Sequence, residues 1–195
     1  MNKKIIFALI FGLAVIYGCA SSQLNFKEGA KKITEMEMKY GASVKVPPAT
    51  TPEIDDLMAQ IMGFSVANQL PDSLELFIEF KLKFLEAEKL NAEGWQWGKG
   101  STTDYGFGCK NGYLRITESA RIRNVSAQKG YEAVSILQEF VDTYSKEAKS
   151  LNLTQKDVLV LNAVYFQNEE KASRDAKIIK SACKEQANAT KQHGA

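Results

Sequence analysis

Residues 72–94 constrain the fold more than any other stretch of the chain. Asp72-Ser73-Leu74-Glu75 has the spacing of a capping box, in which a side chain and a backbone N–H at a helix start satisfy one another. Behind it the apolar residues form two stripes at helical spacing. Leu74, Phe77, Ile78, Leu82 and Leu85 make one, and Leu76, Phe80, Phe84 and Ala87 make the other. A helix that is apolar on two sides must be covered on two sides, which places it at the centre of a bundle. Glu75, Glu79, Lys81 and Lys83 are expected along edges that stay wet, and Gly94 is expected to end the helix.

The flanking segments read the same way. Phe26, Ala30, Ile33, Glu37 and Tyr40 follow a 3.6-residue period and predict a helix near 26–40, with Gly41 to end it. Val46-Pro47-Pro48-Ala49 is a stiff link. Thr51 reads as an N-cap with Pro52 at the first helical position, and Ile54, Leu57, Met58 and Ile61 continue one face. A short helix or strand is expected over 113–124. A long helix follows near 127–150, carrying Tyr131, Val134, Leu137, Val141 and Tyr144. Thr154-Gln155-Lys156-Asp157 caps a last helix with Val158, Leu161, Tyr165, Ala172, Ala176, Ile179 and Cys183 on its inner face. These segments predict an all-α bundle of five or six helices, forming a single domain over 26–186 with a polar tail at 187–195.

The stretch 94–112, GWQWGKGSTTDYGFGCKNG, differs in kind. It holds six of the thirteen glycines, both tryptophans, Tyr105 and Phe107, and reads as a long Gly/aromatic-rich loop. Loops of that length in a compact domain are usually functional or pinned. Trp95, Trp97, Tyr105, Phe107 and Tyr113, with Arg115 as a polar anchor, are the candidate lining of a binding cleft. Such side chains are enriched where proteins bind partners, and they also pack around long loops.

The N-terminus carries a different message. Met1-Asn2-Lys3-Lys4 is a positive start, Ile5–Tyr17 is an apolar run of 13 residues, and Gly18-Cys19-Ala20-Ser21-Ser22 follows. The run is short of the ~20 residues a membrane span needs, and the order is that of a cleaved export signal. Ile16-Tyr17-Gly18-Cys19 resembles the lipobox of prokaryotic lipoproteins, over residues 1–22 only. The resemblance implies cleavage of a signal peptide over 1–18, with a diacylglyceryl group on the Cys19 thiol and acyl chains such as palmitate. It also implies a lipidated tether over 19–25. The anchored domain would then sit on the outer face of a cell-envelope membrane. Ala20 is not aspartate, which in a Gram-negative cell implies the periplasmic side of the outer membrane. Two or more acyl chains make a lasting anchor, where one is marginal.

Cleavage there also changes the charge. The precursor has 25 basic and 23 acidic residues, and Lys3 and Lys4 leave with the signal, so 23 of each remain. A neutral exported domain lacks the basic footprint of a nucleic-acid binder. Cys109 and Cys183 are the two cysteines left after Cys19. An even count in an oxidising compartment favours a disulfide between them over two buried thiols. In the chain-entropy model such a bridge is worth roughly 4 kcal/mol. Their spacing does not suit zinc, and the single histidine, His193, lies in the polar tail. No metal or cofactor is expected.

Catalytic patterns are thin. Gly94-Trp95-Gln96-Trp97-Gly98-Lys99-Gly100 has too few residues between glycines for a phosphate loop, and Gly100 follows the lysine where Ser or Thr is required. With one histidine there is no Ser-His-Asp or Cys-His set. Glu118-Ser119 is similar to the Glu-Ser pair of lytic transglycosylases, whose glutamate is a general acid. Arg115 and Arg121 flank Glu118 at three residues and would lower its pKa, the wrong direction for that role. The expectation is therefore a non-catalytic, lipid-anchored envelope protein that binds a protein partner or serves envelope assembly. The alternatives are a small-ligand binder using 95–115 and, more remotely, a cell-wall glycosidase using Glu118.

Overall fold

The structure is a computed structural model that describes residues 24–98 and 109–193, with six helices and no strand among them. In chain order these are α1 (Phe26–Met38), α2 (Thr51–Ala67), α3 (Asp72–Gly98), α4 (Cys109–Thr143), α5 (Ser145–Ser150) and α6 (Gln155–His193). The all-α reading holds. No described helix is long and apolar enough to cross a membrane. Cys19 and the rest of the signal and tether through residue 23 lie outside the described residues.

The centre is formed by α3 and α4, which run antiparallel, and α6 packs antiparallel on α4 while its Tyr165 and Lys171 side chains reach Glu88 and Trp95 of α3. Leu74, Phe77, Phe80, Phe84, Leu85 and Ala87 are buried on α3, against Ala133, Leu137 and Phe140 of α4. Phe26 of α1 stacks on Phe140 and meets Phe77 edge-on, so α1 covers the end where α3 begins and α4 finishes. The α2 helix lies along α3 from its start as far as Lys89, which pairs with Asp55 at 2.7 Å, and buries Ile54, Leu57 and Ile61. Its N-terminus is fixed by Thr50, whose N–H and hydroxyl both donate to Glu53. The same device opens α6, where the Thr154 N–H and hydroxyl donate to Asp157.

Several expectations are corrected. Gly94 does not end α3, which continues one further turn to Gly98. Gly94 is instead a close-approach position, where any Cβ would collide with the Arg123 side chain of α4. The segments expected at 113–124 and 127–150 are one helix, α4, of 35 residues, and it stops at Thr143. Tyr144 leaves helical geometry, and α5 turns the corner with Ala148 and Leu153 buried beneath it. The loop expected over 94–112 is therefore helical at both ends, and 99–108 lies outside the described residues. The tail after 186 continues α6 as far as His193.

Lys81 is not at a wet edge either. It is fully buried and paired with Glu37, also fully buried, on the inner face of α1. Its Nζ donates to the carbonyls of Val44 at 3.1 Å and Ser43 at 3.3 Å and lies 5.1 Å from the Phe84 ring centre. Burial pulls the Lys81 pKa down, and Glu37 opposes this. The lysine thus ties α1 and the turn at 43–46 to the central helix.

The far half of the bundle packs differently. Ser126 Oγ donates to the Ala87 carbonyl at 2.8 Å, and Ser119 Oγ to the Gly94 carbonyl at 2.6 Å. Ala87/Gly94 and Ser119/Ser126 are each one heptad apart, so small side chains recur along one seam. Small residues let two backbones approach closely enough for a hydroxyl to reach the neighbouring carbonyl.

Candidate functional site

The aromatic cleft anticipated at 95–115 comes apart. Trp95 and Trp97 lie two positions apart on the last turn of α3, roughly 200° around the helix, so their side chains leave on different sides. Trp97 joins Glu93, Gln96 and Arg115 around an open pocket of about 330 Å³. Trp95 takes another course. The Arg123 guanidinium lies 4.2 Å from its ring centre and the Lys171 ammonium 4.4 Å. Its ring is thus engaged by two cations of its own chain. Tyr105 and Phe107, and the side chain of Tyr113, lie outside the described residues.

Arg123 is the buried member of this cluster, 2% exposed. It donates to Asp175 at 3.2 Å and to the Asn168 carbonyl at 3.4 Å, both on α6. One residue therefore links α3, α4 and α6, and the neighbouring Gly94 is what gives its chain room. Nearby, the Tyr165 hydroxyl donates to Glu88 at 3.0 Å. Burial raises the Glu88 carboxyl above its ordinary range, and the tyrosine hydrogen bond opposes the rise. Burial and the Glu88 charge push Tyr165 up in turn. On the outside of the same joint, Tyr131 donates to Glu169 at 2.9 Å and is pushed up to about 12, mainly by desolvation. These contacts build a joint between helices.

Glu118 is held by a fork. Arg121 Nε donates to one carboxylate oxygen at 2.9 Å and Nη2 to the other at 2.6 Å. The Arg121 hydrogen bonds hold the Glu118 carboxyl below its usual range, opposite to what a general acid needs. Among the described residues no three His, Cys, Asp or Glu side chains converge as a metal site would require.

The exposed side of α6 is the feature that inner-face periodicity passes over. Val158, Tyr165 and Ala172 face inward, one heptad apart, and are buried. On the opposite side, Leu159 is 68% exposed, Val160 50% and Phe166 54%, with Ala163 exposed between them. Val164 borders the strip at 40%. Residues 158–168, VLVLNAVYFQN, contain no charge at all. Lys156 stands exposed before the strip and Glu170 after it. Beyond Phe166, a hollow of about 480 Å³ is lined by Glu169, Glu170, Ser173, Arg174 and Lys177. The sequence signal for this face was present as apolar residues in excess of what one buried stripe can use.

Comparison of the chain with protein-family models, with curated proteins and with solved structures finds no match.

Proposed function

We propose that this chain is a lipid-anchored, exported, non-catalytic helical protein of the cell envelope, and that it acts by binding a protein partner through the outer face of α6. The observation that carries the binding reading is the exposed, charge-free strip Leu159, Val160, Ala163 and Phe166. Each of these is presented by a helix whose other side is already packed. Contiguous apolar surface of this kind on a soluble domain marks an interaction face. Anchoring rests on the lipobox resemblance at Cys19, with residues 1–18 removed and the domain held on the outer side of the membrane. The small-ligand alternative draws less support. Trp95 is already engaged by cations of its own chain, and the Trp97–Arg115 pocket is open to solvent.

A disulfide between Cys109 and Cys183 belongs to the same proposal. The Cys109 side chain lies outside the described residues, so support comes from register. Gly130 of α4 meets Tyr165 of α6 so closely that a Cβ would overlap the ring. From that contact Cys109 is 21 residues back along α4 and Cys183 is 18 forward along α6. At ~1.5 Å per residue the two positions fall within about one helical turn of each other. Mass spectrometry of the exported protein under non-reducing conditions should find the two cysteines joined.

Two experiments test the function. A photoreactive residue at position 166 should give one discrete protein adduct in intact cells, and a chain with no adduct would contradict the binding reading. Cys19→Ala should release the protein from membranes, and unchanged membrane association would contradict the anchor.

A further inference from the structure

The outer strip of α6 has an internal symmetry that names its partner. Ala163 lies at its middle. Val160 and Phe166 are three residues to either side, Leu159 and Gln167 four, and Lys156 and Glu170 seven. All project from the same side of α6 and all are exposed. If two such helices lie antiparallel with Ala163 of each at the crossing, Val160 of one copy meets Phe166 of the other. Leu159 then meets Gln167, and Lys156 meets Glu170, twice over. The small alanine at the centre permits the interaxial distance of about 8 Å that close helix packing needs. Among the described residues neither Lys156 nor Glu170 has an ion-pair partner in its own chain.

We propose that the outer face of α6 pairs with the same face of a second copy of this chain, antiparallel about a two-fold axis through Ala163. The proposal rests on the reading of this face as the binding surface and names its occupant. A two-fold interface must be self-complementary, and the placement of Lys156 and Glu170 at equal distances from Ala163 meets that condition in charge. Lys156 at one end of the strip and Glu170 at the other carry opposite charge, and in the pair each Lys156 meets the partner's Glu170, at the edge of a hollow that also holds Glu169, Arg174 and Lys177.

The size of the strip predicts how tightly the copies hold. The strip offers only a handful of exposed residues, well short of the roughly 20–30 a side found in stable complexes. The free soluble domain should therefore pair only weakly. Confining two anchored copies to one membrane raises their effective concentration, which a weak, correctly oriented interface can use.

The test uses the full lipidated chain in its membrane with Ala163→Cys. A residue on a two-fold axis faces itself, so mild oxidation should give a covalent dimer of twice the chain mass. Thr117→Cys, exposed on α4, and the parent chain should give none. In the Ala163→Cys background, Lys156→Glu alone or Glu170→Lys alone should reduce the dimer about fivefold. Carrying both changes in one chain should restore it, as should mixing the two single-change chains.

Absence of the Ala163→Cys dimer would overturn the second copy as occupant. If a residue-166 photo-adduct to a different protein persists in that case, the binding face stands and only its partner is wrong. If no adduct forms either, both readings fall. A dimer that forms but ignores every charge change would overturn the antiparallel register.

Discussion

Tyr165 and Phe166 are neighbours on α6 with opposite surroundings. Tyr165 is fully buried, its ring seated over Gly130 and its hydroxyl on Glu88. Phe166 is 54% exposed on the strip that no other described helix covers. The inner and outer faces of this helix use similar residue types, yet one is buried within the chain and the other is left about half exposed. The inner face holds the bundle together, and the outer face is free to hold something else. Substitutions on the two faces should therefore separate stability from assembly.

The largest expected effect is at the inner face. Tyr165→Ala removes a buried aromatic ring and leaves a cavity over Gly130, and should cost about 3–5 kcal/mol in a denaturant melt. A loss under ~1 kcal/mol would mean that the inner face does not carry the fold. Lys81→Met should cost a similar ~3–5 kcal/mol, because it leaves the Glu37 charge buried without its partner. Adding Glu37→Gln to that variant should recover most of the loss. If it does not, the pair is an attractive contact in its own right and more than two charges that must be buried together.

Next comes the close approach at the far half of the bundle. Gly94→Val should cost about 1–3 kcal/mol by pushing against the Arg123 side chain. It should also shift the near-ultraviolet signal of Trp95, which lies over that guanidinium.

A smaller, pH-dependent effect belongs to Glu88. Its carboxyl is held above the ordinary range by burial, so the folded chain keeps this proton at pH values where the unfolded chain has lost it. Stability from this group therefore falls as pH rises from the ordinary carboxylate range through the raised value, and the deficit persists above it. Glu88→Gln should gain stability relative to the parent between pH 4 and pH 7. A relative loss over that interval would show that the Tyr165 hydrogen bond to the ionised carboxylate outweighs burial.

Much of the inner architecture was legible in the amino-acid order. The two stripes of α3, the Thr154 cap and the inward position of Glu37 on α1 are all local periodicities, and local periodicity survives folding. What was hidden depended on contacts distant in sequence. Gly94 serves close packing within a helix and not its termination, because Arg123, 29 residues on, lies where a side chain at 94 would be. Lys81 is buried because Glu37 and the carbonyls of Ser43 and Val44 receive its charge. The split between Trp95 and Trp97 follows at once from their two-residue spacing on a helix, but only after α3 is known to extend past Gly94. The outer strip of α6 was written plainly in VLVLNAVYFQN, where an inner stripe alone leaves Leu159, Val160 and Phe166 unused.

The most direct measurement pairs two readouts on Phe166→Lys. Because Phe166 is about half exposed, its loss should cost at most ~1 kcal/mol, moving the melting temperature of the isolated domain by less than about 4 °C. The same substitution in the anchored Ala163→Cys chain should abolish the covalent dimer. A melting temperature lowered by about 10 °C, or a dimer that forms undiminished, would contradict a free outer face that exists to be covered.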